Sequence, residues 1–171
     1  ALTGAVLAAG SDTAVDLHSY LIKALLSHPE QLEELKQDEE LIQNAISETL
    51  RYESSGKTGL ARYVSEDMEL LGVEVKKGQM IQLITSTAGL DPNTYDDPDT
   101  FDIHRNHDKS ISFGQGPHYC IGVTLVRSQT EVMLRELFNR FPNLSLTGDV
   151  KYDYDHHNAR RMTELTVKTN I

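Results

Sequence analysis

The amino-acid sequence predicts a mainly α-helical protein with small β-sheets, an α+β fold. Apolar residues recur at helical spacing through most of the first 52 residues and again around residue 130. Short runs rich in branched and aromatic residues follow each helical region, and the turns between them are typical of hairpin strands. No internal repeat, low-complexity tract or linker divides the chain, so we expect residues 1–171 to form a single unit.

Three helices are expected in the first third of the chain. The first spans residues 2–27, because this stretch lacks proline and places leucines at spacings that suit a helix, and Pro29 ends it. The same proline suits the first turn of a second, short helix, PEQLEELKQ. Asp38 is expected to cap a third helix, which runs to about Tyr52 with one apolar face.

Strands and one long loop are expected in the middle of the chain. The runs ARYV, MELLGVEV and MIQLIT, between residues 60 and 87, predict hairpin strands. The next stretch, from Gly89 to Pro117, lacks periodicity, and loops of this length inside a compact domain are commonly functional. Helical spacing returns from Ile121 to about Phe141, and the tail after it is expected to form short strands.

The composition is that of an ordinary globular protein, with 39% hydrophobic and 25% charged residues. The sequence lacks the ~20 consecutive apolar residues that span a membrane, and we expect no signal peptide. A net charge of -10 argues against nucleic-acid binding. One cysteine cannot form an internal disulfide, so we expect a cytoplasmic location. The start at Ala1 suggests a processed or partial chain.

The only cysteine, Cys120, lies in the segment FGQGPHYCIG, where the long loop leads into the helix expected near Ile121. At a helix N-terminus the unpaired N–H groups and the helix dipole favour the thiolate, the form that binds metals or attacks substrates. The glycines at 114, 116 and 122 allow a tight turn and let a ligand approach the backbone closely.

The residues alone leave several roles open for this thiol. A lone cysteine commonly serves as a small buried hydrophobe. A nucleophilic pair with His118 would need an orienting third group, which the sequence does not show. A zinc site would need further ligands such as His156 and His157. A dinucleotide-binding loop does not fit, because the third glycine is missing and no strand directly precedes the segment.

The cysteine segment resembles the F-G-x-G-x-H-x-C-x-G signature of the cytochrome P450 family at all six fixed positions. The resemblance implies a heme b cofactor (iron protoporphyrin IX) with Cys120 as the thiolate ligand of the iron. It also implies that Phe113 shields the sulfur and that His118 contacts a heme propionate. Gly114, Gly116 and Gly122 would let the loop lie against the porphyrin.

The segment AAGSDT, near the start of the chain, resembles the A-G-x-D-T stretch of the long helix that crosses the distal face of the heme. The resemblance implies that Ala9 contacts the heme. It further implies that Thr13 and Asp12 relay protons as general acids during dioxygen activation. The Thr13 hydroxyl is expected to bond to a backbone carbonyl one turn back.

The segment ETLR resembles the E-x-x-R motif of the same family. By itself, a pair such as Glu48 and Arg51 on one helix face is an ordinary surface ion pair. With Arg105, in DPDTFDIHR, the resemblance implies a buried Glu-Arg-Arg cluster that holds the long loop beneath the heme. Arg62 lies where the family often offers a second propionate contact.

The resemblance implies a bacterial, soluble heme-thiolate monooxygenase that inserts one oxygen atom of dioxygen into a small hydrophobic substrate. Electrons would come from a ferredoxin or flavodoxin-type donor, received by a basic face formed by Lys109 and Arg127 with Arg105 and His107. The sequence corresponds to the C-terminal half of the family, from the long distal helix onward. The N-terminal half is expected to be absent or supplied as a separate chain. The alternative is a heme-free relative that keeps the fold for interaction.

Overall fold

The computed structural model describes residues 2–56, 59–155 and 159–170 as helices and small antiparallel sheets. The helices are α1 (Leu2–Ser27), α2 (Pro29–Gln37), α3 (Leu41–Tyr52), α4 (Thr85–Ala88) and α5 (Val123–Arg140). The strands are β1 (Leu60–Tyr63), β2 (Met68–Leu70), β3 (Val73–Val75), β4 (Met80–Leu83), β5 (Ser145–Leu146), β6 (Lys151–Asp153), β7 (Arg161–Glu164) and β8 (Val167–Lys168). Among the described helices, none is long and apolar enough to cross a membrane.

The first two helices have the predicted boundaries, because Pro29 ends α1 and occupies the first turn of α2. The predicted cap of the third helix is wrong. Asp38 lies in an extended conformation at the end of α2, and its carboxylate accepts a hydrogen bond from the Glu40 N–H at 3.0 Å. This turn delays the start of α3 to Leu41. Helix α5 starts at Val123, two residues later than predicted.

The strands form four two-stranded antiparallel ribbons in the described part of the chain. Strand β1 pairs with β4 and β2 with β3, while in the tail β5 pairs with β8 and β6 with β7. The run MELLGVEV supplies both β2 and β3, because Leu71 and Gly72 take positive φ values of 50° and 81° in the connecting turn. Isolated ribbons are marginally stable, so β5 and β7 depend on their packing against α1.

A hydrophobic core lies between the second half of α1 and helices α2, α3 and α5. Its buried members are Leu17, Leu21, Ala24, Leu25, Leu32, Leu35, Ile42, Ala45, Ile46, Phe101, Ile103, Leu134, Phe138 and Leu144. Two of these, Phe101 and Ile103, come from the long loop and tie it to the helices. The first half of α1 contributes nothing to this core, since every residue from 2 to 13 is exposed.

Candidate functional site

The loop that carries Cys120 is closed by its own backbone. The Cys120 N–H donates to the Phe113 carbonyl at 2.9 Å, and the Tyr119 N–H donates to the Gly116 carbonyl at 3.0 Å. Gly114 and Gly116 have φ values of 76° and 65°, a region that favours glycine because other residues place a Cβ against the backbone there. The sequence therefore builds a tight loop that presents a thiol three residues before α5.

The thiol of Cys120 is free and partly exposed. A Cβ at Gly122 would lie 3.8 Å from its sulfur, so the glycine keeps that side of the sulfur uncovered. Three apolar or aromatic side chains within five residues of the cysteine are also exposed, Ile121 by 98%, Leu125 by 63% and Tyr119 by 52%. A partly exposed sulfur within an exposed apolar surface is suited to covering by a large apolar ligand.

Arg127, on α5, fastens this loop to α3. Its guanidinium lies 5.3 Å from the centre of the Phe113 ring and donates to the Gln43 carbonyl at 3.1 Å and to Ser47 Oγ at 2.9 Å. The side chain is half-buried, which differs from the solvated cationic face expected for it. Lys109, the other residue of that face, is exposed.

Glu48 and Arg51 form a buried ion pair on α3, with no exposed side-chain area on either residue. The Arg51 Nε and Nη2 atoms each donate to one Glu48 carboxylate oxygen at 2.7 Å. The remaining donors of Arg51 point at loop carbonyls, those of Gly89 (2.8 Å), Pro98 (2.7 Å) and Thr100 (2.9 Å). The pair therefore holds the backbone of the long loop.

Arg105 joins the same carboxylate from the loop side. Its Nε donates to Glu48 Oε1 at 3.3 Å, and its Nη atoms donate to the carbonyls of Asp96, Asp97 and Thr100. The Asp102 N–H also donates to Glu48 Oε1, at 2.8 Å. The structure thus brings the three residues of the expected Glu-Arg-Arg cluster together around one carboxylate.

His107 also faces this carboxylate, with its Nε2 atom 3.6 Å from Glu48 Oε2. The sequence predicts a place for this histidine on a basic surface, but only 9% of its side chain is exposed. No local sequence signal marks the residue as buried, because its environment is made by α3 and α5, which are distant in sequence.

The first half of α1 holds the residues of the AAGSDT segment. The Thr13 Oγ1 donates to the Ala9 carbonyl at 2.6 Å, as expected, while the helix stays continuous through Gly10. The carboxylate of Asp12 forms an ion pair with Arg161, on β7, at 2.7 Å. Sequence analysis did not find Arg161, since the two residues lie near opposite ends of the chain.

A second polar cluster connects α1, the end of α3 and the tail. The Tyr20 hydroxyl donates to the Arg160 carbonyl at 2.6 Å, and the Arg160 Nη2 donates to Glu53 Oε2 at 2.7 Å. Lys23 pairs with the same Glu53 carboxylate. Burial raises the pKa of Tyr20 to about 12, so the phenol stays protonated as a donor. This cluster was also missed by sequence analysis.

The remaining residues considered from the sequence lie apart from these clusters. Arg62 is exposed on β1, where its guanidinium donates to the Ala61 carbonyl at 2.8 Å, and His118 is exposed in a short 3-10 turn before Cys120. His156 and His157, considered as zinc ligands, lie outside the described residues. Within the described ranges, no group of three or more metal-ligating side chains occurs.

Comparison with known proteins identifies the family. The family model described as Cytochrome P450 matches residues 1–165. This chain belongs to the cytochrome P450 family. Cytochrome P450s are heme enzymes, so the heme predicted from the cysteine segment is the cofactor of the family to which the chain belongs.

Individual curated P450s are similar in sequence to this chain over most of its length. The epothilone C/D epoxidase of Sorangium cellulosum is 36% identical over 167 residues, which cover 98% of this chain and 40% of the relative. The biotin biosynthesis cytochrome P450 of Bacillus subtilis is 39% identical over 146 residues, covering 85% of this chain and 36% of the relative. The chain therefore spans well under half the length of these curated relatives.

A solved P450 structure confirms the predicted fold class. Cytochrome P450epoK bound to epothilone D superposes with a TM-score of 0.93 at 36% identity, covering 97% of this chain and 41% of that chain. P450BioI in complex with an acyl carrier protein that carries hexadec-9Z-enoic acid superposes with a TM-score of 0.88 at 37% identity, covering 94% and 42%. The described helices and ribbons are thus part of a P450 fold.

Proposed function

We propose that this chain is the heme-binding C-terminal portion of a bacterial P450 monooxygenase. The observation that carries the proposal is the free Cys120 thiol, presented by a glycine loop within an exposed apolar surface. The full enzyme would insert one oxygen atom of dioxygen into a small hydrophobic molecule. The N-terminal half would be supplied by the rest of a longer protein or by a separate chain, in the cytoplasm.

The residues around Cys120 fit heme b bound through one axial thiolate. The sulfur is uncovered on the Gly122 side, and its apolar surroundings suit the porphyrin. His118 and Arg62 are exposed and available for the heme propionates. Phe113 would shield the sulfur, and the glycines at 114, 116 and 122 would let the loop lie against the porphyrin. When bound, a thiolate-ligated heme supplies the electron density that favours O–O bond cleavage.

The first half of α1 would provide the distal wall of the same site. Ala9 would contact the heme, and the Thr13 hydroxyl, already bonded to the Ala9 carbonyl, would pass protons toward the reacting oxygen. Asp12 would take part in the same proton relay, and its ion pair with Arg161 holds the carboxylate at the edge of the tail ribbon.

The proposed substrate class is supported by what related P450s are named for. Relatives include an epothilone epoxidase and a vitamin D3 dihydroxylase, and one neighbouring structure holds testosterone. These are small organic molecules with large apolar surfaces. We therefore propose a substrate of that general kind for the enzyme to which this chain contributes.

The test of the proposed function is spectroscopic. Chain reconstituted with heme, reduced and exposed to carbon monoxide should show the red-shifted Soret band of a thiolate-ligated heme. Cys120→Ala should lose that band, because no other described side chain offers a thiolate. A control, His104→Gln, changes an exposed residue on the long loop and should keep the band. A wild-type chain that stays colourless with added heme would contradict the proposal and favour a heme-free interaction protein.

A ferredoxin or flavodoxin-type electron donor is the proposed partner, and Lys109 is an exposed cation of the long loop, four residues before Phe113. Reversing its charge, in Lys109→Glu, should slow reduction of the heme by an acidic donor and weaken the salt dependence of that rate. Lys77→Glu makes the same charge change in the turn before β4 and should leave the reduction rate and its salt dependence unchanged. Equal rates for the two variants would contradict this docking face.

A further inference from the structure

His107 is a buried titratable residue for which the proposed reaction has no use. Its side chain is 9% exposed, and within the described part of the chain neither ring nitrogen has a hydrogen-bond partner. The Glu48 Oε2 atom is 3.6 Å from its Nε2 atom, beyond hydrogen-bond distance. An imidazole that is buried without partners is unusual, because it loses hydration and gains no compensating bond.

Burial opposes protonation of the ring, and the charges around it act in both directions. The groups that face His107 are the Glu48 carboxylate and the guanidinium groups of Arg51, Arg105 and Arg127. They come from α3, from the long loop and from α5, so three positive charges and one carboxylate that is already paired with Arg51 act on the ring. Burial lowers the pKa of His107 first, the carboxylate raises it, and the three guanidinium groups lower it again. The folded chain therefore holds the ring neutral.

The position of His107 connects this cluster to the cysteine loop. Its carbonyl accepts the Ser110 N–H at 2.9 Å, which forms the turn that leads toward Phe113. Phe113 lies under the Arg127 guanidinium, and Arg127 is one of the groups that face His107. A change in the position of His107 would therefore disturb both ends of the segment before Cys120.

We propose that His107 is an acid-sensitive latch, whose neutral ring fastens the loop that carries Cys120 and whose protonation releases it. This inference goes beyond the proposed function, and only its consequence for the cofactor rests on that function. A positive charge on the ring would add to the excess positive charge of the cluster, where bulk solvent does not reach the ring nitrogens to screen it. The ring would move to solvent, and residues 106–113 would leave α3 and α5 with it.

The direction of the pH effect follows from linkage between protonation and opening. In the opened loop His107 is hydrated and binds a proton below its ordinary pKa of about 6.5, whereas in the closed loop it does not. The contribution of the latch is complete above about pH 6.5 and is lost as the pH falls below this value. The equilibrium constant for opening should rise up to about tenfold per pH unit in that range.

The test is urea unfolding of the whole chain at about pH 7.5 and about pH 5.5, on either side of the ordinary histidine pKa. The unfolding constant of the wild type should rise on acidification by about threefold to tenfold more than that of His107→Leu or His107→Gln. Glutamine keeps a polar side chain, so it serves if the leucine variant does not fold.

His104→Gln is the matched control, three residues away and exposed. Its hydrogen bond to Glu34, at 2.7 Å, raises the pKa of His104, so its removal should change the pH dependence in the opposite direction. In the wild type and in His104→Gln, the Ser110 amide should lose hydrogen-exchange protection at the lower pH, after correction for intrinsic rates, and in the His107 variants it should not. The proposal is overturned if the unfolding constant changes between the two pH values by the same factor in the wild type and in both His107 variants. It is also overturned if the Ser110 amide of the wild type keeps its protection at the lower pH.

The consequence for the cofactor is tested separately. In heme-loaded chain the wild type should lose its Soret band on acidification from about pH 6.5 to about pH 5.5, while His107→Gln keeps it. Equal loss in both chains would overturn the link between the latch and the cofactor. If no variant binds heme, the proposed function fails, and the unfolding experiment still decides the latch.

Discussion

Glu48 and Arg51 differ from an ordinary ion pair through burial, a property that their spacing alone does not reveal. At a helix surface such a pair contributes a few tenths of a kcal/mol. Here both side chains have no exposed area, and the arginine also donates to three loop carbonyls. The pair therefore stabilises the position of the loop. Removing either partner is costly, because the remaining buried charge would have neither its countercharge nor water around it.

We expect Glu48→Gln to lower the free energy of unfolding by about 3 kcal/mol, because the buried Arg51 would lose its countercharge while the side-chain shape is kept. Urea denaturation of the chain measures this difference. Glu136→Gln is the control, since Glu136 pairs with Arg140 at 2.7 Å on an exposed face and should change stability by less than about 0.5 kcal/mol. Similar losses in the two variants would contradict the role given to burial.

Some residues of the site have neighbours that are close in sequence, and others have neighbours that only the fold brings near. The tight turn before Cys120 could be predicted from the sequence, because one continuous segment with its glycines builds the loop. The Thr13 hydroxyl bond to Ala9 was also predictable, since both residues lie on one helix. His107 and Arg161 were not, because their neighbours come from distant segments that only the folded chain brings near.

The bounds of helices and loops could likewise be predicted only where neighbouring residues in the sequence determine them. The boundary at Pro29 was predictable, because proline has a fixed effect on the residues beside it. The cap at Asp38 failed because an aspartate can bond to the backbone in a turn as well as at a helix start, and here it bonds to Glu40. The path of the long loop could not be predicted, since side chains of α2 and α3 fix its carbonyl groups.

The cluster around Tyr20 joins α1, the end of α3 and the segment before β7. Tyr20→Phe removes a hydroxyl that donates to the Arg160 carbonyl and accepts from its Nε atom, at 2.6 and 3.1 Å. We expect a loss of about 1 to 2 kcal/mol in unfolding free energy, because both Arg160 groups would be left without this partner. Hydrogen exchange should also rise in β7, which follows Arg160 directly.

The control for this cluster is Tyr63→Phe, on β1. Its side chain is 73% exposed, so the same removal of a hydroxyl should change stability by less than about 0.5 kcal/mol. A Tyr20→Phe chain with unchanged stability and unchanged exchange in β7 would show that the ribbon is held by its apolar contacts instead.

At the scale of the whole molecule, the chain has a packed part and an open part. The packed part is the helical core, to which the long loop is fastened by Phe101, Ile103 and the Glu48 cluster. The open part includes the first half of α1, which exposes apolar side chains such as Val6 and Leu7. In relatives more than twice as long, the same fold has further chain available to cover such surfaces.

This division predicts unequal stability along one continuous helix. Amides of residues 6–13 should exchange at rates set by local fraying, whereas those of residues 17–25, packed in the core, should open only with global unfolding. Gly10→Ala should slow exchange in the first group roughly fivefold, the equivalent of about 1 kcal/mol in helix propensity, and leave the second unchanged. Added heme should protect the first group further if it contacts Ala9.

The contrasting variant is Gly89→Ala, at a glycine of the packed part. A Cβ at Gly10 meets no atom within 4 Å, whereas a Cβ at Gly89 would lie 2.5 Å from the Arg51 carbonyl oxygen. The same substitution should therefore stabilise the exposed helix and destabilise the whole chain at the loop, because the Arg51 backbone cannot move without disturbing its bonds to the loop. If residues 6–13 were protected as strongly as residues 17–25, α1 would be stabilised along its whole length, and the assignment of its first half to the open part would be wrong.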